Sequence, residues 1–313
     1  MEFNKDPLFT RRNLQENCLR EGEARYAIKI LSKDCCANPS LFLKGTIDMA
    51  VETRFLAVLE HPHIVKMRAV SSVGQFEEGY FIVLDRLFDT LEQRLQHWNK
   101  KVKRTRSVVG KLSGGKKNRI KLTMNRIGVA HDLSSALQYM HKNQIIYRDI
   151  KPENCGFDVR DEIKIFDMGL AKELHEKDMN SDGTFKLTSF TGSLRYMAPE
   201  VAKGLPYNLS ADVYSFGILF WQIIALEPPF VTLSCKLHDD IVVKRGGRPV
   251  CDKKWPLSWT SLMKKCWSVD PKVRPAFDEV TQVLRDETLI IDPDYQEDSL
   301  LDISRRSLEK AKI

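Results

Sequence analysis

Long hydrophobic runs are missing from this chain. The longest apolar stretch, Phe216–Leu226, is interrupted by Gln222 and is too short for a bilayer span, which needs about 20 residues. The opening MEFNKDPLFTRRN is polar and charged, without the apolar core of a secretory signal. A disulfide pattern is missing too. The seven cysteines are an odd number, Cys35 and Cys36 are adjacent, and no Cys-x-x-Cys occurs. That argues against a disulfide framework or a zinc site and for reduced thiols, with the cytoplasm, or the nucleus, as the expected location. Glycine is scarce at the start, with Gly22 alone ahead of Lys29. Acid is missing from residues 100–121, which hold ten Lys or Arg. Taking those ten from the net charge of +7 leaves −3 for the remainder. The chain therefore reads as a mildly acidic globule with one basic segment, not as a generally basic nucleic-acid binder. With 313 residues, 42% of them apolar, it can bury a sizeable core in two lobes or two small domains.

What is present centres on Ile145–Gly169, IIYRDIKPENCGFDVRDEIKIFDMG. One polar turn carries Asp149, Lys151 and Asn154. The alternating run Glu162–Phe166 reads as a strand ending on Asp167-Met168-Gly169. Two acids and an amide on a loop and at a strand end suit phosphoryl transfer. Asp149 can accept a hydroxyl proton, Lys151 can offset charge on the moving group, and Asn154 and Asp167 offer hard oxygen ligands for Mg²⁺. The bland reading is a chance polar turn before a strand. The stretch resembles the catalytic loop and metal-binding motif of protein kinases, H-R-D-x-K-x-x-N and D-F-G, with Tyr147 in place of His and Met168 in place of Phe. In the family both are packing positions.

Other segments carry the resemblance further. Arg25–Leu31 reads as a strand and is similar to the kinase V-A-I-K strand, which makes Lys29 the expected partner of ATP phosphates. Residues 47–59 have helical apolar spacing. Glu52 on that helix, ten residues before Pro62, matches the family's αC acid and is expected to pair with Lys29; a solvated helix Glu is the alternative. Residues 64–70 and 80–85 read as two more strands. Leu84, Asp85 and Leu87 fall where the family's hinge holds adenine, Leu84 behind the base, and Asp89 is a weaker candidate for the ribose. A helix is expected over Thr90–Trp98 and another over Asn125–Lys142. The polar run after Asp167-Met168-Gly169 ends at Met197-Ala-Pro-Glu200 and resembles an activation segment. Ser189 and then Thr188 are the candidate phosphorylation positions, with Arg148 and Lys172 as phosphate partners. Ser193 sits where Ser/Thr kinases place a hydroxyl against the catalytic Asp and Lys. Asp212 opens a buried helix, and in the family such an acid caps the catalytic loop. Arg274 is expected to pair with Glu200.

Residues 99–121 are an insertion relative to the compact family pattern, and their like charges and glycines argue for a mobile loop. Within them Gly110–Lys117 approximates a nucleotide-binding P-loop but lacks its Ser/Thr and a preceding strand. An acidic partner or nucleic acid is the class of ligand such a segment fits. No Gly-rich loop precedes Lys29. We expect the sequence to start inside a strand-to-strand connection, so that upstream residues would supply the loop; a protein that lacks it is the alternative.

The resemblance covers residues 25–287. It implies an α+β, two-lobed kinase-like fold with a truncated small N-lobe sheet and a mainly helical C-lobe. The expected organisation is a polar segment 1–24, a partial N-lobe 25–86, a C-lobe 87–287 with the basic insertion 99–121, and a charged tail 288–313. The function implied is transfer of the ATP γ-phosphoryl group to protein Ser or Thr, with ATP and Mg²⁺ as cofactors and a Ser/Thr-bearing protein as partner. The motif Asp212-Val-Tyr-Ser-Phe-Gly217 leans toward the tyrosine kinase-like branch. The rival reading is a pseudokinase-like scaffold.

Overall fold

The structure, a computed structural model, describes residues 19–20, 23–106, 115–231 and 234–291. A short ribbon pairs Leu19–Arg20 with Glu23–Ala24. The first full sheet has the order β1-β3-β2, from β1 (Tyr26–Ile30), β2 (Met67–Val70) and β3 (Phe81–Asp85). All neighbours are antiparallel, with Lys29 opposite Ile82. The alternation in β3 buries Ile82 and Leu84, as a sheet with one covered face requires. On β1, Ile28 and Ile30 are each 64% exposed, and among the described residues nothing pairs with its outer edge.

Helix α1 (Lys33–Ala37) leads into α2 (Pro39–Leu56). The expected helix 47–59 thus starts eight residues earlier and stops three short of its predicted end. The signal for the earlier start is Asn38-Pro39. The Asn38 carboxamide accepts from the amides of Ser40 and Leu41, and Pro39 fits the first turn without losing a bond. The inner face of α2 buries Met49, Ala50, Glu52, Thr53 and Leu56.

The remainder is mainly helical: α3 (Leu91–Arg106), α4 (Gly115–Lys142), α5 (Pro199–Ala202), α6 (Ser210–Ala225), α7 (Leu257–Cys266) and α8 (Phe277–Ile291). Its core holds Ile127, Leu133, Leu137, Met140, Phe216, Phe220 and Phe277, all buried. Phe216 and Phe277 meet edge to face at 5.4 Å, which locks α6 onto α8. A small sheet of order β4-β6-β7, formed by Asp89–Thr90, Cys155–Phe157 and Ile163–Ile165, carries the central loop. A second pair joins β5 (Ile145–Ile146) to β8 (Lys172–Glu173). Among the described residues no helix is long and apolar enough to cross a membrane.

The basic segment corrects the expectation of a loop. Its residues 99–106 extend α3 and its residues 115–121 begin α4; residues 107–114, with most of the P-loop look-alike, lie outside the description. Lys and Arg are good helix formers, so two helices already nucleated on the core propagate through them.

Candidate active site

The catalytic candidates converge on Asp149, at the mouth of the loop between β5 and β6. Its carboxylate is buried and fully engaged. Oδ2 accepts from Lys151 Nζ at 2.8 Å and from Asn154 Nδ2 at 2.8 Å, and Oδ1 accepts from Ser193 Oγ at 2.9 Å. Asn154 Nδ2 also donates to the Asp149 carbonyl at 3.0 Å, which leaves the Asn154 carbonyl oxygen as the side chain's open acceptor.

The loop is held from below by Asp212, which opens α6 with a nearly inaccessible side chain. One oxygen accepts from the Arg148 amide and the other from the Tyr147 amide, both at 2.8 Å, and His141 Nε2 reaches it at 2.9 Å. Three partners meet the demand of a buried carboxylate. This cap lets Arg148 keep a left-handed backbone, φ 70°. From above, Gly192 (φ 92°) lies so close that a β-carbon there would run into the Arg148 carbonyl oxygen.

Across the cleft, Lys29 Nζ lies 2.5 Å from Glu52 Oε2 and 3.1 Å from Asp167 Oδ1. Burial pulls the ammonium down, but the Glu52 and Asp167 carboxylates push harder, and its pKa is raised. Burial also raises Glu52, against the pull of Lys29. The lysine of this pair is therefore charged at neutral pH. Asp167 sits at φ 64°, a rare backbone for a non-glycine residue, which turns its half-exposed carboxylate toward Lys29.

Leu84, Asp85 and Leu87 line the expected hinge. Leu84 is buried. The Asp85 side chain is clamped by Arg68, Nε and Nη2 each at 2.7 Å, so only its backbone is left for a ligand. The amides of Asp85, Arg86 and Phe88 donate to Lys66, Arg25 and Phe157. The Leu87 amide donates to no described residue and is the open donor of the hinge. Leu87 also fills the space above Gly156, where a β-carbon would come within 2.9 Å of its Cδ1. Asp89 is bonded bidentately to Arg94 at 2.8 and 2.9 Å.

In the activation-like segment Ser189 and Thr188 are exposed. Arg148 donates Nε to the Leu170 carbonyl at 2.6 Å; its Nη1 is buried with no hydrogen-bond partner and its side chain lines a cavity with Thr191 and Ser193. Ser189 packs beside Gly204. Lys172 is exposed on β8. Arg274 holds Glu200 through two nitrogens, at 2.5 and 2.9 Å.

Sequence reasoning assigned Tyr147 to packing alone. Its hydroxyl donates to the Phe166 carbonyl at 2.6 Å, tying the central loop to the residue before Asp167. Burial first, then Cys155 and Asp149, raise its pKa well above that of a free tyrosine, so it stays a donor. The signal was the phenol itself, since a buried Tyr O–H needs an acceptor. Asp48 was also missed. It lies one turn before Glu52, and a β-carbon on Gly169 would come within 3.1 Å of its Cβ. Burial, with Asp167 adding to it, raises its pKa.

The donor set fits Mg²⁺. Asn154 and Asp167 supply hard oxygens, and among the described residues no group of three His, Cys, Asp or Glu gathers into a closed cage. Two protein oxygens completed by phosphates and water are what this ion uses in nucleotide sites.

The sequence model of the protein kinase domain matches residues 16–284. Among curated proteins, a serine/threonine-protein kinase of Arabidopsis thaliana, STY17, is 36% identical over 156 residues, covering 50% of this chain and 26% of that protein. A probable serine/threonine-protein kinase of Dictyostelium discoideum, gdt4, is 33% identical over 252 residues, 78% of this chain and 14% of its own length. The dual specificity protein kinase shkB of Dictyostelium discoideum is 32% identical over 166 residues, 52% of this chain and 25% of its own. The chain thus spans about a quarter or less of these relatives. With a family model over most of its length, and with the loop, strand and helix motifs in kinase order, this chain belongs to the eukaryotic protein kinase family.

Proposed function

We propose that the chain transfers the γ-phosphoryl group of ATP to Ser or Thr hydroxyls of a protein. The observation that supports this best is the three-way engagement of Asp149. Ser193 Oγ, at 2.9 Å from Oδ1, marks the distance at which an acceptor hydroxyl would give up its proton. Lys151, held on the other oxygen, is placed to offset charge on the transferring group. Lys29, fixed by Glu52, would hold the α- and β-phosphates, and the Leu87 amide, with the Asp85 backbone, would bind the adenine edge. Asn154 and Asp167 would hold Mg²⁺, which supplies charge neutralisation on the phosphates when bound. Catalysis of this kind is mostly positioning and electrostatics. The Arg148 guanidinium is the anion receiver we assign to a phosphate on the activation-like segment.

The test is Mg²⁺-ATP-dependent phosphorylation of a basic protein substrate, run on this chain and on a version extended upstream. Asp149→Ala and Lys29→Met should each cut transfer by at least about 100-fold without changing the circular dichroism spectrum. Wild-type rates in either folded variant would sink the proposal.

A second reading, a binding scaffold, is favoured by Tyr147 and Met168, which stand where the family's motifs carry His and Phe. It predicts ATP binding, or none, with no transfer in either version.

A further inference from the structure

The basic ends of α3 and α4 pose a question that phosphoryl transfer leaves open. From Gln93 to His131 the chain contains no Asp or Glu. Lys100, Lys101 and Lys103 on α3, and Lys117 and Lys121 on α4, are exposed, and none has an acidic partner within ion-pair distance among the described residues. These five lysines put charge of one sign on two helix ends that lie side by side.

The course of α8 shows where the next stretch of chain sets out. This helix runs antiparallel to α4. At its start Asp278 accepts from Gln138 at 2.9 Å, and at its far end Thr288 lines a cavity with Trp98, Met124, Asn125 and Gly128. The described chain ends one turn later, at Ile291, travelling toward the N-terminal, basic end of α4. Lys103 lies five residues beyond Trp98, and Lys117 seven residues before Met124. At 1.5 Å per helical residue these are distances of about 8 to 11 Å. The next eleven residues, 292–302, carry Asp292, Asp294, Glu297, Asp298 and Asp302 and no Lys or Arg. Extended, they can reach roughly 36 Å.

We propose that the acidic segment 292–302 docks in cis on the basic surface made by Lys100, Lys101 and Lys103 of α3 with Lys117 and Lys121 of α4. Five carboxylates face five ammonium groups within tether range. The tether holds them at an effective concentration of the order of millimolar, which places the chain's own acid ahead of an outside polyanion. The contact is electrostatic and opens with salt, because screening shortens its range to about 3 Å at 1 M ionic strength.

Zero-length carbodiimide cross-linking of the full 313-residue chain, mapped by mass spectrometry, tests this directly. Carboxylates of 292–302 should join these lysines, with a yield independent of protein concentration and at least about tenfold lower in 1 M NaCl. A variant with the three Asp→Asn and Glu297→Gln changes at 292–298 together with Asp302→Asn should lose the cross-links. It should also elute from immobilised heparin at higher salt than the parent, with an unchanged melting temperature. Cross-links directed elsewhere, or formed only between chains as concentration rises, would overturn the proposal. So would equal heparin elution of parent and variant, because the basic surface would then be open to an external polyanion or a second copy.

Discussion

A buried hydroxyl and an absent β-carbon fix the candidate site at the scale of single residues. Tyr147 donates to Phe166, next to Asp167. Tyr147→Phe keeps the ring and deletes that one bond, leaving a carbonyl without its donor. It should cost about 1–2 kcal/mol in urea melts and raise the KM for Mg²⁺-ATP more than it lowers kcat, because it loosens Asp167 and leaves Asp149 alone. Gly192 combines φ 92° with no room for a β-carbon over Arg148. Gly192→Ala should destabilise by about 1–3 kcal/mol and lower transfer through a displaced Asp149–Ser193 contact; a melting curve beside single-turnover kinetics separates the two. Much of this scale was legible. The family resemblance put forward Lys29, Glu52, Asp149, Lys151, Asn154 and Asp167 as candidates, and the structure brings all six into two linked clusters. The Tyr147–Phe166 bond was not legible, because nineteen residues separate donor and acceptor and only the β6–β7 turn brings them together.

The turn from α2 into β2 carries a histidine whose surroundings oppose its protonation. His61 stacks on Tyr139 at 5.3 Å, and its Nδ1 accepts the His63 amide at 3.1 Å, which requires a neutral ring. Burial, and then the neighbouring His63, push its pKa down to about 3. A depressed histidine contributes stability that is present above its unfolded value of about 6.5 and is lost as pH falls from there toward 3. The chain should therefore lose up to about 2 kcal/mol more than a His61→Asn variant between pH 6.5 and pH 5, read as the difference between two denaturation series. An amide oxygen can replace Nδ1 as the acceptor and does not titrate. The extensions of α3 and α4 were the elements the sequence hid. Apolar periodicity marks a helix only where it meets a core, and the basic ends project beyond theirs.

At the scale of the whole molecule, the outer edge of β1 has no strand beside it among the described residues. Ile28 and Ile30 are each 64% exposed on this strand, whose partner β3 covers only one edge, and an open edge of this sort templates association. Ile28→Thr with Ile30→Thr should reduce light scattering on storage and leave the melting temperature within about 1–2 °C; a matching drop in stability would mean that these side chains are covered. The two-lobed architecture was legible because its motifs are distributed along the chain in order. Arg274 and Glu200, 74 residues apart, met as the family resemblance implied. The start of α2 escaped because Asn-Pro-Ser reads equally as a turn or as a cap until the helix behind it is seen.

The contact between Gly192 and Arg148 also has a meaning for heredity. Every missense change that a single base can make in a glycine codon introduces a β-carbon. At position 192 that carbon enters the space of the catalytic loop's own backbone, so each missense variant of this codon should carry at least the penalty expected for alanine. A substitution found there is one of the first inherited changes to test for lowered stability and transfer.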